Sequence, residues 1–273
     1  MLTRILGFTY GIICYVIFFM TFLYAIGFVA GGNLYRAGQN LIIPRSIDLS
    51  PVGNGESFLQ KLLIDAILLS LFALQHSVMA RQWFKRRWTK VVAPLLERST
   101  YMLIASLILL LIFWQWRPIG ADSPIWDVQN SAGRIVLESL FWAGWGMVLV
   151  STFLINHFDL FGLRQAYCYL KGTECPPHSF TTPLFYKGVR HPLYLGFIIA
   201  FWSTPRMSFG HLFFAAMTTA YMIVAIQFEE RDLLRAYGDQ YREYRKSVSM
   251  LTPVRFLRGK REDGPAKSKA ARR

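Results

Sequence analysis

Apolar runs of membrane-spanning length constrain this chain more than any other feature. Four such runs, at 5–30, 58–80, 99–116 and 135–155, approach or exceed the roughly 20 residues that cross a hydrocarbon core. The chain is also 53% hydrophobic over 273 residues, which is more apolar material than one soluble core of this size normally contains. We therefore predict an all-α fold, a polytopic integral membrane bundle.

The last apolar region, 192–228, is too long for a single span and contains helix-breaking residues in its middle. The sequence Ser-Thr-Pro-Arg at 203–206 interrupts it, and Gly210 follows closely. Since proline and glycine disfavour a continuous helix, two shorter helices forming a hairpin fit this region better. The predicted fold is thus four transmembrane helices followed by a C-terminal helical hairpin.

The chain shows no internal repeat and no second soluble domain. We expect a single transmembrane domain over 1–258 and a basic, disordered tail over 259–273. Aromatic residues recur at helical spacing between 228 and 248, which predicts one more helix that leaves the membrane. No G-x-G-x-x-G sequence is present, so we expect no Rossmann domain.

The uneven distribution of a net charge of +14 predicts the orientation of the bundle. The loop between the second and third apolar runs carries six cations: Arg81, Lys85, Arg86, Arg87, Lys90 and Arg98. The next loop has cations and carboxylates in equal number. By the positive-inside rule the basic loop is cytoplasmic, and alternation places the N- and C-termini on the same side.

With this topology, several helix ends bring ionisable groups to one membrane depth. These groups are His76 after the second run, Asn156, His157 and Asp159 after the fourth, Arg190, His191 and Tyr194 at the start of the hairpin, and Glu229 and Glu230 at its end. Ionisable residues at membrane depth are costly and usually functional. We therefore predict a buried site just inside the cytoplasmic leaflet.

The residues around the hairpin suit a ligand that carries both charges. Arg190 and His191 precede Pro192 at a helix start, where free N–H groups and the helix dipole favour an anion. Glu229 and Glu230 offer acceptors for an ammonium group or a ribose. Each piece also has a structural explanation, because His-Pro is a common helix start and a single histidine at a helix end often only packs.

Metal and disulfide chemistry are not indicated by the spacing of histidines and cysteines. The five histidines form no metal-ligand pattern, so we expect no metal. Cys168 and Cys175 fall in a segment assigned to the cytosol, where reducing conditions disfavour a disulfide. We accordingly expect both thiols to be free.

Three segments of the C-terminal part resemble a known signature. They are Val-Arg-His-Pro-Leu-Tyr-Leu-Gly at 189–196, Glu-Glu-Arg-Asp-Leu at 229–233 and Tyr-Gly-Asp-Gln-Tyr-Arg-Glu-Tyr at 237–244. Together they resemble the integral-membrane methyltransferases that include isoprenylcysteine carboxyl methyltransferases and bacterial phospholipid methyltransferases. The resemblance covers 185–253 and implies a helical membrane fold that binds S-adenosylmethionine near the cytoplasmic surface. The cofactor-binding residues it implies are Arg190, His191, Tyr194, Gly196, Glu229, Glu230 and Tyr241.

Segments 74–81, 97–101 and 151–165 are similar to bacterial methanethiol S-methyltransferases, which extends the resemblance over nearly the whole chain. It implies methylation of methanethiol to dimethyl sulfide in the bacterial inner membrane. A thiol is mostly protonated at neutral pH, so a base or a cation must favour the thiolate. We predict His76 and His157 for this role, with Asp159 orienting an imidazole and Arg164 or Arg190 stabilising the anion.

Two other functions remain compatible with the sequence. One is a methyltransferase of a larger amphiphile, such as a prenylated cysteine carboxylate or a phospholipid headgroup. The other is a membrane transporter, which intramembrane polar groups alone permit, although no repeat is visible. The partners we expect are a small thiol and membrane lipid, without nucleic acid.

Overall fold

The computed structural model describes residues 1–31, 44–176 and 180–252. The helices are α1 Leu2–Ala30, α2 Phe58–Met79, α3 Gln82–Trp88, α4 Glu97–Gln115, α5 Ser131–Ile155, α6 His157–Leu160, α7 Leu163–Lys171, α8 Pro192–Trp202 and α9 Phe209–Ser247. Short 3-10 turns cover Pro94–Leu96 and Leu184–Lys187. A two-residue strand, β1 Trp126–Asp127, pairs antiparallel with β2 Arg206–Met207. The predicted all-α class is confirmed, and the described part of the chain contains no Rossmann-like sheet.

Among the described residues, five helical segments are long and apolar enough to cross a membrane, which makes this an integral membrane protein. They are Leu2–Ala30, Phe58–Met79, Pro94–Gln115, Ser131–Ile155 and Phe209–Ser247. The predicted break after α8 is confirmed, because the chain leaves the helix at Ser203 and re-enters one at Phe209. Since α8 has only 11 residues and α9 has 39, the count of four spans plus a hairpin stays a prediction.

Helix α9 continues well past the hairpin into the predicted aromatic helix. It passes through Gly238, whose φ of 53° and ψ of −123° mark a kink that favours glycine. Beyond the kink, Tyr241 and Tyr244 pack against Phe180 with ring centroids 5.8 and 5.4 Å away. The helix predicted over 228–248 is therefore confirmed, whereas the predicted tail over 259–273 lies outside the described residues.

Side-chain caps define where three of the long helices begin. Ser57 and Gln60 form a reciprocal capping box at the start of α2. The side chains of Asn130 and Ser208 accept backbone N–H groups at the starts of α5 and α9. Each cap satisfies an N–H group that would otherwise lack a partner at a helix end.

The first turns of α2 belong to the end of the bundle away from the predicted site. Asp65 is fully buried there and accepts a hydrogen bond from the backbone N–H of Arg117 at 2.9 Å. Along α2, Asp65 precedes His76 by about 16 Å of helix rise. Arg117 also pairs with Glu56 at 3.1 Å, so the two loops at this end are held together.

Helices α5 and α8 approach closely at a pair of glycines. A Cβ atom added to Gly144 would lie 2.7 Å from the Gly196 carbonyl oxygen and 2.7 Å from the Ala200 nitrogen. A Cβ added to Gly196 would lie 2.8 Å from the Gly144 carbonyl oxygen. Small residues permit such backbone contact between membrane helices. Gly196, an expected cofactor-binding residue, therefore lies at a helix crossing.

We predict that Gly144→Ala destabilises the bundle by about 1–3 kcal/mol, because the backbone of α8 must move away. Gly146→Ala is the matched control on the same helix, since a Cβ added there meets nothing within 4 Å. Thermal unfolding of both variants in detergent measures the difference. Equal melting temperatures for the two alanine variants would show that the crossing is not tightly packed.

Candidate active site

The buried carboxylate of Glu230, on α9, lies at the centre of a group of polar and charged side chains from the start of α8 and from α9. Its Oε1 lies 2.7 Å from Arg190 Nε and 3.3 Å from His191 Nε2, and its Oε2 lies 3.2 Å from Arg245 Nε. Only 4% of the Glu230 side chain is exposed. We call Arg190, His191, Glu229, Glu230 and Arg245 the Arg190 cluster.

Residues 248–250, which directly follow α9, fold back beside the Arg190 cluster. The backbone N–H of Arg190 donates to the Ser249 carbonyl at 2.9 Å, and that of His191 donates to the Met250 carbonyl at 3.2 Å. The Arg190 guanidinium also donates to the Val248 carbonyl and to the Arg245 carbonyl. Arg190 thus connects the start of α8 to the end of α9, so its geometry is fixed by both.

Glu229 differs from Glu230 because it keeps access to solvent. Its side chain is 44% exposed, and its Oε2 lies 3.9 Å from His191 Nδ1. The Tyr194 hydroxyl lies within hydrogen-bonding reach of the same carboxylate. Glu229 is therefore the carboxylate of the Arg190 cluster that a ligand could still contact.

Two tyrosine hydroxyls near these carboxylates are buried without a hydrogen-bond partner among the described residues. Tyr186 lies near Glu229, and Tyr241 lies near both Glu230 and Arg190. Burial raises the pKa of Tyr186, so its hydroxyl stays protonated and can donate. Unsatisfied buried donors next to charged groups suit a polar ligand such as a nucleoside or an amino acid.

A second group, the His76 cluster, contains Phe72, His76, Tyr101 and Tyr221. The imidazole stacks on Phe72 at 5.1 Å between ring centroids and contacts Tyr101 at 5.1 Å. The Tyr101 hydroxyl donates to the His76 carbonyl at 3.3 Å. The Nδ1 atom of His76 is buried and has no partner within the described part of the chain. An unpartnered imidazole nitrogen among aromatic rings is available to a substrate proton.

Tyr194 joins the two clusters. Its ring centroid lies 5.8 Å from that of His191, and its hydroxyl approaches Glu229. The Tyr194 hydroxyl also interacts electrostatically with Tyr101 and Tyr221. The structure therefore brings His76 into the same region as the expected cofactor-binding residues.

Two guanidinium groups border the His76 cluster. Arg81 pairs with Asp232 at 3.1 Å, and its guanidinium lies 5.1 Å from the Phe228 ring. Arg98 lies 5.7 Å from the Tyr101 ring and donates to the Leu160 carbonyl at 2.8 Å. Sequence reasoning used these arginines for orientation only. One sequence feature indicated that these arginines lie near His76, namely the basic loop that directly follows α2.

His157 lies apart from Tyr194, among side chains of α1 and α5. Its Nε2 is 2.8 Å from the Tyr15 hydroxyl and its Nδ1 is 2.8 Å from the Thr152 hydroxyl. Its ring stacks on Phe153 at 4.3 Å, and burial lowers its pKa. Both ring nitrogens are occupied by hydroxyl groups, so a substrate would have to displace one of them.

The carboxylate of Asp159 contacts the turn that follows it. It accepts from Gln165 Nε2 at 2.8 Å and pairs with Arg164 at 3.5 Å. Arg164 in turn donates to the Pro176 carbonyl at 2.9 Å. These contacts hold α6 and α7 together, and the ring nitrogens of His157 face Tyr15 and Thr152 instead.

Cys168 and Cys175 form a disulfide, so the expectation of two free thiols is wrong. Helix α7 ends at Gly172, whose φ of 68° reverses the chain and returns Cys175 to the helix. The Cα atoms of the two cysteines consequently lie 5.8 Å apart, within the range for a disulfide. The prediction rested on the reducing conditions of the cytosol, and the spacing of the cysteines did not reveal that the chain reverses direction at Gly172.

Comparisons with known proteins show which family this chain resembles. No protein-family model and no solved structure matches it. A methanethiol S-methyltransferase of Mycobacterium tuberculosis is 51% identical over 92% of this chain and 97% of its own length. Methanethiol S-methyltransferase 1 of Bradyrhizobium diazoefficiens is 51% identical over 92% of this chain and 84% of its own. The chain belongs to the methanethiol S-methyltransferase family.

Membership in the methanethiol S-methyltransferase family confirms the resemblance seen in the sequence. A further member, from Crocosphaera subtropica, is 50% identical over 92% of this chain and 93% of its own length. Within residues 1–31, 44–176 and 180–252, no group of three or more His, Cys, Asp or Glu side chains could hold a metal ion. Four residues near the candidate site were not predicted as site residues from the sequence: Tyr101, Tyr186, Tyr221 and Arg98.

We predict that Glu230→Gln destabilises the protein by about 3–5 kcal/mol, because it leaves the buried Arg190 guanidinium without its carboxylate. Glu243→Gln is the matched control, since Glu243 pairs with Lys246 and is 70% exposed. Its loss should cost about 0–1 kcal/mol. Thermal unfolding in one detergent compares them, and a Glu230→Gln variant as stable as the control would contradict the central role of this carboxylate.

Proposed function

We propose that this protein methylates methanethiol to dimethyl sulfide, using S-adenosylmethionine as the methyl donor. The observation that carries the proposal is the position of Tyr194, which contacts His191 and interacts electrostatically with Tyr101, the ring that contacts His76. Three similar proteins carry the name methanethiol S-methyltransferase, which supports the choice of substrate. Methylation of a thiol requires a donor site and a proton acceptor, and we assign these roles to the Arg190 cluster and to His76.

The Arg190 cluster is our proposed site for the methyl donor. S-adenosylmethionine, when bound, supplies a methyl group on a positively charged sulfur atom. We assign the exposed carboxylate of Glu229 and the unpartnered hydroxyls of Tyr186 and Tyr241 to direct contact with it. Arg190, His191 and Glu230 hold that site in place, and Gly196 lets α8 pack closely on α5.

His76 is our proposed base. The thiol proton passes to Nδ1 of His76, and the sulfur electron pair forms the new bond to the methyl carbon. The electrons of the broken carbon–sulfur bond remain with the departing sulfur, so two neutral sulfides result. Opposite charges disappear in this step, and the rings around His76 exclude water that would stabilise the separated charges. Arg98, near the Tyr101 ring, favours the thiolate electrostatically.

His157, Asp159 and Arg164 have positioning roles in this proposal. The hydroxyl contacts of His157 fix α6 against α1, and the Asp159–Arg164 pair fixes α7. The aromatic packing of Phe161 on Phe18 continues from this region into the group that includes Tyr101. A change at His157 should therefore affect the reaction through geometry rather than through proton transfer.

We also propose that the reaction takes place on the cytoplasmic side of a bacterial inner membrane. Five cations between α2 and α4, together with Arg98 in the first turn of α4, support this orientation by the positive-inside rule. The N- and C-termini are then cytoplasmic as well. We treat 1–258 as one transmembrane methyltransferase domain, of which 185–253 binds the cofactor.

The direct test supplies purified protein with methanethiol and methyl-labelled S-adenosylmethionine. We expect labelled dimethyl sulfide in the vapour and no label in lipid, because the proposed acceptor is a small thiol. Protein inactivated by heat is the control for spontaneous transfer. Label confined to co-purified lipid would favour an amphiphile substrate, and no binding of S-adenosylhomocysteine would favour a transporter.

The assignment of the base predicts different pH dependences for two histidine variants. His76→Gln should lower turnover by about 10²–10⁴-fold at neutral pH. This loss should shrink between about pH 7 and about pH 9, because the thiol, with a pKa of about 8.5 or higher, increasingly ionises without a base. His157→Gln, the matched control, should lower turnover by the same factor at every pH.

Both variants should bind S-adenosylhomocysteine as the unchanged protein does, which isothermal titration measures. A His76→Gln variant whose loss is constant across the pH range would remove His76 from proton transfer. A loss that shrinks with pH in His157→Gln alone would transfer the role to His157.

A further inference from the structure

Tyr221 has no assigned part in the proposed proton transfer or methyl transfer. It lies on α9, and its hydroxyl accepts a hydrogen bond from Ser77 Oγ at 3.3 Å. Ser77 is the residue directly after His76 on α2. This bond ties the tyrosine on α9 to the turn that carries the imidazole, so the ring has a fixed place beside the base.

The rings of Phe72 and Tyr101 contact His76 directly, and the ring of Tyr221 contacts Phe72. Tyr221 meets Phe72 edge-on at 6.4 Å between centroids, and Phe72 stacks on His76 at 22° between ring planes. Tyr101 contacts the imidazole from α4 and is only 6% exposed. A thiol whose proton reaches Nδ1 must therefore place its alkyl group against these rings.

Of these rings, Tyr221 has the most room to be changed without loss of the site. Phe72 and Tyr101 contact the imidazole itself, so their removal would also move the base. Tyr221 reaches the base through Phe72 and Ser77. Its bulk consequently restricts the space on this side of the base.

We propose that the ring of Tyr221 is the specificity-determining wall that restricts this enzyme to short-chain alkyl thiols. The inference rests on the proposed thiol methylation and names the residue that sets the length of the substrate. An apolar wall discriminates by roughly 10–200-fold for each methylene that does not fit. Methanethiol has no methylene, so it fits where longer thiols contact the ring.

Replacement of the Tyr221 ring tests this proposal, with methanethiol and 1-propanethiol compared as methyl acceptors. Tyr221→Ala should raise kcat/KM for 1-propanethiol relative to methanethiol by at least about 10-fold. Tyr221→Phe keeps the ring and should leave that ratio within about threefold. Tyr24→Ala is the matched control, because Tyr24 donates to the Arg45 carbonyl and packs on Phe113 at the opposite end of α4 from Tyr101. Tyr221→Leu repeats the test if the alanine variant does not fold.

A second measurement does not depend on turnover. Methyl propyl sulfide, the product from the longer thiol, should bind at least about 10-fold more tightly to Tyr221→Ala than to the unchanged protein. Isothermal titration in the presence of S-adenosylhomocysteine measures this affinity. Unchanged S-adenosylhomocysteine affinity confirms that the variant is folded.

Three outcomes would overturn the assignment of Tyr221. They are an unchanged thiol ratio in both Tyr221→Ala and Tyr221→Leu, equal relaxation in Tyr221→Phe, and equal relaxation in Tyr24→Ala. Each leaves the proposed function intact if the unchanged protein still methylates methanethiol. If the unchanged protein methylates no thiol at all, the proposed function fails together with the wall.

Discussion

The buried carboxylate of Glu230 is the interaction on which the proposed donor site depends. It pairs with Arg190, from before α8, and with Arg245, from the end of α9, and it lies 3.3 Å from His191 Nε2. Buried charge is tolerated only when it is paired and hydrogen-bonded, so these segments have to converge. Once they converge, Glu229 next to Glu230 is left half exposed, and Tyr186 and Tyr241 present hydroxyls without partners. The same network that stabilises this end of the protein therefore shapes a binding surface.

The position of α8 links this network to the chemistry proposed at His76. Gly144 and Gly196 allow α8 to lie directly on α5, and this places Tyr194 on the first turn of α8 between His191 and the His76 cluster. Tyr101 and Tyr221 complete the aromatic surroundings from α4 and α9. A thiol and a sulfonium meet most productively where water is excluded, since their opposite charges disappear in the reaction. Aromatic rings satisfy that requirement without offering a competing nucleophile.

The two histidines show how a shared residue type can have different environments in one bundle. His157 is surrounded by rings but has a hydroxyl at each nitrogen, whereas His76 has rings and a buried nitrogen without a partner. A fully hydrogen-bonded imidazole stabilises the helices that contact it. An unsatisfied one has an energetic cost that a substrate can remove, which is why we assign proton transfer to His76. Arg164 resembles His157 in this respect, because its contacts with Asp159 and Pro176 hold a turn of the protein itself.

The sequence alone determined the helical membrane class, the break between α8 and α9, the aromatic helix after it and the family, because apolar length and local motifs act over short distances. It also named most of the Arg190 cluster, since Arg190, His191, Glu229 and Glu230 lie within conspicuous motifs. Only the tertiary structure decided which side chains meet. It placed Gly196 at a helix crossing, paired Cys168 with Cys175, directed Asp159 to Arg164 and brought Tyr221 beside His76. These outcomes depend on turns and on helix packing between distant segments, and hydrophobic periodicity carries no information about either.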